Sequence, residues 1–155
     1  MSSDGDEVDL QPRRARLDEA FALADLWLLS RRASIPQIPA PVHGGEEVRA
    51  WFLHVVFASQ GVWVTEASGS LTALMVLGVG SIEHLYVDPG WNSRGLGSQM
   101  LELCKRERTS LDLWTFQSNP LARRFYRRHG FVAVDVTDGD NEEGAPDIRY
   151  HWQRP

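Results

Sequence analysis

The spacing of hydrophobic residues along the chain changes from helical to alternating. Helical spacing over residues 18–32, and again from Glu46, predicts two helices. Three runs rich in β-forming residues follow, over 61–67, 71–77 and 81–87. Because the short gaps between these runs contain glycine, we predict an antiparallel three-stranded meander.

The second half of the chain alternates helices with strands. The predicted elements are a helix from near Arg94, a strand over 111–116, a helix over 120–129, and strands over 131–136 and 147–152. Strands 81–87 and 111–116 are joined through a helix, so we predict that they run parallel. This order of elements predicts an α+β fold of three layers, in which helices cover a mixed sheet.

Length and composition are typical of one soluble globular domain. The chain has 155 residues, of which 43% are hydrophobic and 24% charged. Residues 1–12 are polar and acidic, so we predict a disordered acidic tail followed by a single domain over 13–155. Since no secretory signal or long apolar stretch is visible, we expect a cytoplasmic protein without membrane contact. A single cysteine, Cys104, excludes an internal disulfide and a cysteine-rich zinc site.

The charge of the chain is unevenly distributed. The net charge is −5, but residues 1–9 and 135–147 contain ten acidic residues and no lysine or arginine. Without these ten residues the net charge would be +5. The acidic total argues against a nucleic-acid partner, because such proteins neutralise phosphates with basic residues. The basic remainder could still hold a small anionic ligand.

The segment from Leu85 to Leu101 has the features of an anion site. A strand is followed by a turn and then by a helix N-terminus that contains Gly95 and Gly97. Glycines allow close approach to the backbone, and the free N–H groups of a helix start attract anions. The segment is neither a P-loop nor a dinucleotide fingerprint, because Ser98 stands where a P-loop has lysine and Met100 stands at the third glycine position. Alternatively, the glycines serve only tight packing of helix and strand.

This segment resembles the GCN5-related N-acetyltransferase superfamily, or GNAT superfamily, in its phosphate-binding signature. That signature is Gln/Arg-x-x-Gly-x-Gly/Ala after a strand that ends in Val-x-Pro. The chain has Val87-Asp88-Pro89 and then Asn92-Ser93-Arg94-Gly95-Leu96-Gly97, with Asn92 where glutamine or arginine is usual. A second block, from Asn119 to Phe131, matches Asn-x-x-Ala-x-x-Phe-Tyr-x-x-x-Gly-Phe. The order of elements over residues 13–152 fits the superfamily as well.

The resemblance implies a fold, an acyl donor and a set of contacts. The fold is a mostly antiparallel sheet of about six or seven strands with four flanking helices and a splayed parallel pair of strands at the acetyl-CoA site. The donor is acetyl-CoA. The sequence itself shows no cluster of histidine, cysteine and aspartate with metal-ligand spacing, so we expect no metal. The backbone of Leu85, Tyr86 and Val87 would bind the pantetheine arm, and the Val87 N–H would polarise the thioester carbonyl. The other implied contacts are Asn92, Ser93, Arg94, Gly95, Leu96, Gly97 and Ser98 on the pyrophosphate, with Asn119 and Phe125 on the arm.

Acetylation of an amine also needs a proton donor for the leaving thiolate and a base for the ammonium, whose ordinary pKa is about 10.4. The resemblance assigns Tyr126 as general acid, although its place on the helix stripe also fits a core residue. Glu83 is the candidate base, because residues 83, 85 and 87 share one face of a regular strand. His84 replaces it if a bulge reverses the faces. Glu83 equally fits a solvated strand position.

Three functions are compatible with these features. The first is acetyl-CoA-dependent acetylation of a primary amine of a small molecule by direct transfer in a ternary complex. The proline loop (residues 34–45) favours the enclosed site that this needs, and the acidic loop (residues 138–143) would attract a cationic amine. The second is acetylation of a protein N-terminus or lysine. The third is a non-catalytic acyl-CoA-binding module, against which Tyr126 speaks. The sequence leaves the oligomeric state open, a homodimer included.

Overall fold

The computed structural model describes residues 10–59 and 61–155, and its elements follow the predicted order. The helices are α1 (Ala20–Ala33), α2 (Gly45–Trp51, continued through the wider turns of Phe52–Val56 to Phe57–Ser59), α3 (Leu96–Glu107) and α4 (Pro120–Arg128). The strands are β1 (Arg13–Arg14), β2 (Gly61–Ala67), β3 (Ser70–Leu77), β4 (Ile82–Val87), β5 (Ser110–Phe116), β6 (Val132–Thr137) and β7 (Asp147–Gln153). Positions 1–9 of the predicted acidic tail lie outside the described residues.

The seven strands form two antiparallel sheets that meet at one point. The first sheet has the order β1-β2-β3-β4 and the second has the order β5-β7-β6. β4 and β5 run parallel, as predicted, but they pair only at the bridge between Ser81 and Asp112. Past this bridge the two strands separate and leave an opening. The predicted mixed, mostly antiparallel fold with a splayed parallel pair is confirmed.

Alternation along β3 places helices on both faces of the first sheet. Leu74 and Val76 are buried against α1 and α2. Met75 and Leu77 are buried in a second core with α3 and with the inner face of the second sheet. Since neighbouring residues of a strand point to opposite faces, one strand supplies both cores and gives the three layers. In the described ranges, no helix is both long and apolar enough to cross a membrane.

β4 contains a bulge near its start. Ile82 pairs with Leu77 of β3. Val76, which precedes Leu77 in β3, pairs with His84 rather than with Glu83. Glu83 is therefore the extra residue of a β-bulge, which changes the direction of the strand locally. Because of this shift in register, the alternation of a regular strand does not predict the sides of the sheet on which the Glu83 and His84 side chains lie.

Candidate active site

The opening between β4 and β5 is a cleft of about 830 Å³. β4 forms one wall, β5 and α4 form the other, and the start of α3 lies along it. Eleven of the twelve predicted cofactor contacts line this cleft. They are Leu85, Tyr86, Val87, Asn92, Ser93, Gly95, Leu96, Gly97, Ser98, Asn119 and Phe125. The twelfth, Arg94, stacks its guanidinium over Trp91, 4.6 Å from the ring centroid.

The exposed edge of β4 presents unpaired backbone groups to the cleft. The Asp88 N–H donates to the carbonyl oxygen of Thr72 at 2.8 Å, which fixes the alternation of the β3–β4 ladder. By that alternation, the N–H groups of Leu85 and Val87 point away from β3. Apart from the bridge at Ser81, no strand in the described part of the chain pairs with this edge. The edge is therefore free to pair with an extended ligand.

A hydrogen bond fastens α1 to the end of β4. The buried Ser30 hydroxyl donates to the carbonyl oxygen of Val87 at 3.0 Å. The Val87 carbonyl is thus satisfied, whereas its N–H stays available on the cleft side. Ser30 was not selected from the sequence, because a serine within an apolar helix gives no distinctive signal.

The turn before α3 exposes backbone N–H groups to the cleft. Ser93 and Gly95 both adopt left-handed conformations, with φ of 65° and 78°. A Cβ added to Gly95 would meet no atom within 4 Å, so the backbone conformation alone explains this glycine. The N–H groups of the first turn of α3 have no partner within the helix and can bind an anion.

Gly97 serves the packing of two helices. A Cβ added there would lie 3.1 Å from Cζ of Phe125 on α4, which is tighter than most real contacts. The packing role considered from the sequence therefore applies to Gly97, in addition to any contact with a ligand.

The Asn119 side chain caps α4, since its Oδ1 accepts from the Ala122 N–H at 3.2 Å.

Tyr126 lies in the α4 wall of the cleft and is 9% exposed. Its ring makes edge-to-face contacts with Phe125 and Phe131, at centroid distances of 5.2 and 5.6 Å. Burial raises the pKa of Tyr126 well above its ordinary value of 10, and the nearby Tyr86 adds to the shift. A phenol with this pKa stays protonated at neutral pH, so it can act as a proton donor.

Glu83 lines the start of the cleft but is exposed to solvent. Its carboxylate accepts a hydrogen bond from the Ser81 hydroxyl at 2.6 Å. It also folds against Gly78, where an added Cβ would lie 2.5 Å from Oε1. At about 3.3 Å per residue, the four steps from Glu83 to Val87 span roughly 13 Å. Glu83 would therefore reach the Val87 end of the strand only through water.

His84 lies among aromatic rings. Its Nδ1 accepts a hydrogen bond from Trp27 Nε1 at 3.3 Å, and its ring lies 5.2 Å from that of Trp51. Burial, assisted by the positive charge of Arg31, lowers the pKa of His84 to about 4. The imidazole is therefore neutral at pH 7, with its proton on Nε2 because Nδ1 is the acceptor. In this tautomer its lone pair is already engaged.

The proline loop and the acidic loop meet beside the cleft. His43 of the proline loop contacts Glu142 of the acidic loop, and both Glu142 and Glu47 raise the pKa of His43. The Ser118 hydroxyl donates to the carbonyl oxygen of Gln37 at 2.6 Å. Two residues of the proline loop also line the cleft, so this loop borders one side of the opening.

Arg31 is a second α1 residue that sequence analysis did not select. An arginine near the C-terminus of a helix ordinarily interacts with the helix dipole at the surface. Here the side chain is buried, with its guanidinium 4.8 Å from the ring of Trp27. Glu143, which covers it, is 112 positions away in sequence, so no local signal could have identified this contact.

The chain is similar to a known family of enzymes over about half of its length. Residues 55–133, about half of the chain, match the family model described as an acetyltransferase (GNAT) domain. The chain belongs to the GNAT family of acetyltransferases. It is similar to the peptidyl-lysine N-acetyltransferase YiaC of Escherichia coli, with 27% identity over 132 residues that cover 84% of this chain and 89% of YiaC.

Solved structures confirm the fold over nearly the whole chain. The apo form of YjaB from Escherichia coli has a TM-score of 0.75 and 19% identity, and covers 94% of this chain and 98% of YjaB. YncA from Salmonella typhimurium, solved with acetyl-CoA, has a TM-score of 0.70 and 15% identity, and covers 95% of each chain.

Family membership makes the protein an acetyltransferase that uses acetyl-CoA as its acyl donor. This membership favours an enzyme over the non-catalytic acyl-CoA-binding module that the sequence also allowed. In the described part of the chain, no cluster of three or more histidine, cysteine, aspartate or glutamate side chains is arranged to hold a metal ion.

Proposed function

We propose that the protein transfers the acetyl group of acetyl-CoA directly to a primary amine of a small molecule, with both substrates bound together. The observation that carries this proposal is the convergence of three features on one cleft. The unpaired N–H groups of Leu85 and Val87, the open first turn of α3 and the Tyr126 phenol all border the same space. An extended arm with a phosphate at one end and a thioester at the other fits this arrangement.

In the proposed reaction the pantetheine arm pairs with β4 and the pyrophosphate binds at the start of α3. The amine nitrogen attacks the thioester carbon and forms the new C–N bond. The Val87 N–H donates to the oxygen that becomes negative. When the C–S bond breaks, the thiolate of CoA takes the proton of the Tyr126 hydroxyl. The nitrogen, which carries an extra proton after the attack, passes that proton through water to the Tyr126 phenolate, so a neutral amide and a protonated Tyr126 remain.

We further propose that Glu83 accepts the proton of the ammonium through water. Its exposed carboxylate lines the cleft, whereas the acceptor nitrogen of His84 is occupied by Trp27. The roughly 13 Å between Glu83 and Val87 requires a water chain rather than direct contact.

Glu83→Gln should lower the rate by about tenfold at pH 7, with a smaller loss as the pH rises. At high pH the free amine is present without help from a base, because the pH approaches the ordinary pKa of an ammonium, about 10.4. The measurement is kcat/KM for the amine from pH 6.5 to 9.5. Glu46→Gln, an exposed carboxylate outside the cleft, is the matched control. A loss that is constant across this range would remove Glu83 from the role of base.

We propose a small amine rather than a folded protein as the acceptor. Ser34 and Ile38 of the proline loop line the cleft, and contacts with Glu142 and Ser118 hold this loop in place, which supports an acceptor that is not bulky. A peptide lysine remains the second candidate, because the relative YiaC carries the name peptidyl-lysine N-acetyltransferase.

A panel of acceptors separates these candidates. We expect release of CoA thiol with small primary amines at a kcat/KM about tenfold or more above that of lysine-containing peptides of ten residues. The assay follows free thiol with wild-type protein and acetyl-CoA. A preference for the peptides would favour the second candidate instead.

A further inference from the structure

Arg31 is buried, but its guanidinium is poorly paired. The residue is 4% exposed, and its Nε has no hydrogen-bond partner. Nη2 donates to the Pro39 carbonyl oxygen at 3.2 Å and to Glu143 Oε1 at 3.5 Å. By contrast, the exposed Arg49 makes three contacts of 2.9 to 3.0 Å with Asp25. A buried cation with five donors usually has close partners, because its removal from water is costly.

The surroundings of Arg31 favour a planar anion. Its guanidinium carbon lies 4.8 Å from the ring centroid of Trp27 and 6.0 Å from that of Phe116. Arg31 also lies close to the Tyr86 side chain, where its positive charge partly offsets the rise in the pKa of Tyr86 that burial causes. Tyr86 and Phe116 both line the cleft. A guanidinium held against flat rings keeps its donor edge in one plane, which suits two parallel hydrogen bonds to a carboxylate.

Arg31 lies close to the proposed reaction centre. The preceding residue, Ser30, is bonded to the carbonyl oxygen of Val87. The residue before Val87 is Tyr86, which lies close enough to Arg31 for the guanidinium charge to lower the Tyr86 pKa. Neighbouring residues of a strand are about 3.3 Å apart. Arg31 does not line the cleft itself, but Tyr86 and Phe116, which lie close to its guanidinium, do. We infer that an acceptor which reaches both the guanidinium and the thioester carbon carries its anionic group close to its amine.

Building on the proposed function, we propose that Arg31 determines acceptor specificity by binding a carboxylate next to the reactive amine. The acceptor would then be an amino acid or a similar short compound. In the structure, the Glu143 carboxylate occupies the place that the carboxylate of the acceptor would take. Binding exchanges one carboxylate for another, so the buried guanidinium stays paired. The displaced Glu143 moves outward with the acidic loop, whose negative charges attract the ammonium group of the acceptor.

The test compares each L-amino acid with its primary amide as acceptor, in wild type and in Arg31→Gln. Wild type should prefer the amino acid. Arg31→Gln should raise the KM for the amino acid about tenfold or more and change the KM for the amide little. Arg32→Gln is the matched control, because Arg32 is the neighbouring arginine and is exposed. Equal effects of Arg31→Gln on both acceptors, or a wild type that prefers the amide, would overturn the inference. If Arg31→Gln does not fold, Arg31→Lys, which keeps the charge but loses the fork of donors, should show the same selective loss.

Glu143→Gln provides a readout that a merely structural ion pair would not give. Because it weakens the competing carboxylate, we expect the KM of amino acid acceptors to fall severalfold, while that of the amides stays the same. A rise in KM for both acceptors would mean that the Arg31–Glu143 pair only holds the acidic loop in place.

Binding of products separates failure of this inference from failure of the proposed function. Calorimetry with CoA and an N-acetyl amino acid, or its amide, needs no turnover. If no acceptor reacts but the N-acetyl amino acid binds wild type and not Arg31→Gln, the carboxylate site stands and the proposed reaction is wrong. If amines react but neither KM nor binding responds to Arg31, the proposed reaction stands and the carboxylate site is wrong.

Discussion

Tyr126→Phe should lower kcat for acetyl transfer about 100-fold and leave the KM for acetyl-CoA nearly unchanged. The substitution removes only the hydroxyl, and the ring keeps its contacts with Phe125 and Phe131. Without the hydroxyl, CoA must leave as an unprotonated thiolate or take a proton from water. Steady-state rates with a saturating amine measure this effect directly.

The pH dependence gives a second signature of Tyr126. Burial raises the pKa of this phenol, so its proton is retained as the pH rises from 7 to 9. Over this range we expect the wild-type rate to rise with the fraction of free amine and not to fall through loss of the acid. Tyr150→Phe is the matched control, because Tyr150 is a buried neighbour whose ring lies 6.3 Å from that of Tyr126. Equal rates of Tyr126→Phe and Tyr150→Phe would show that Tyr126 is only a core residue.

Val87→Pro should reduce kcat about 100- to 1,000-fold, because it removes the N–H proposed to donate to the thioester oxygen. The strand should tolerate proline at this position, since the N–H of Val87 points away from β3 and β4 is an edge strand. Val87→Ala is the control that shortens the side chain and keeps the N–H. It should lose far less activity, and the thermal midpoints of both variants report whether the fold is retained.

Leu85→Pro separates binding of the arm from stabilisation of the negative oxygen. The Leu85 N–H points the same way but lies two residues further from the proposed thioester position. Its loss should raise the KM for acetyl-CoA more than it lowers kcat. If Val87→Pro and Leu85→Pro have the same effects on kcat and KM, the N–H of Val87 has no special role in the transition state.

Local patterns in the sequence predicted most of the architecture, including the parallel β4 and β5, but not the side-chain contacts of α1 with distant residues. Helical and alternating periods located all four helices, and the motif around Gly95 indicated the turn that opens α3. A bulge in β4 was considered from the sequence, but its position at Glu83 depends on the register between β3 and β4. The burial of Arg31 depends on an acidic loop more than a hundred residues away. Both are properties of tertiary packing, which local propensity does not encode.

The hydrogen bond from Ser30 to Val87 has a consequence for how the two substrates influence each other. It ties the helix on the acceptor side to the strand that is proposed to hold the donor. An acceptor that displaces the acidic loop from α1 would therefore also disturb the position of the Val87 N–H. The two binding events then share a coupling free energy, and the factor by which one substrate changes the affinity of the other is the same in both directions.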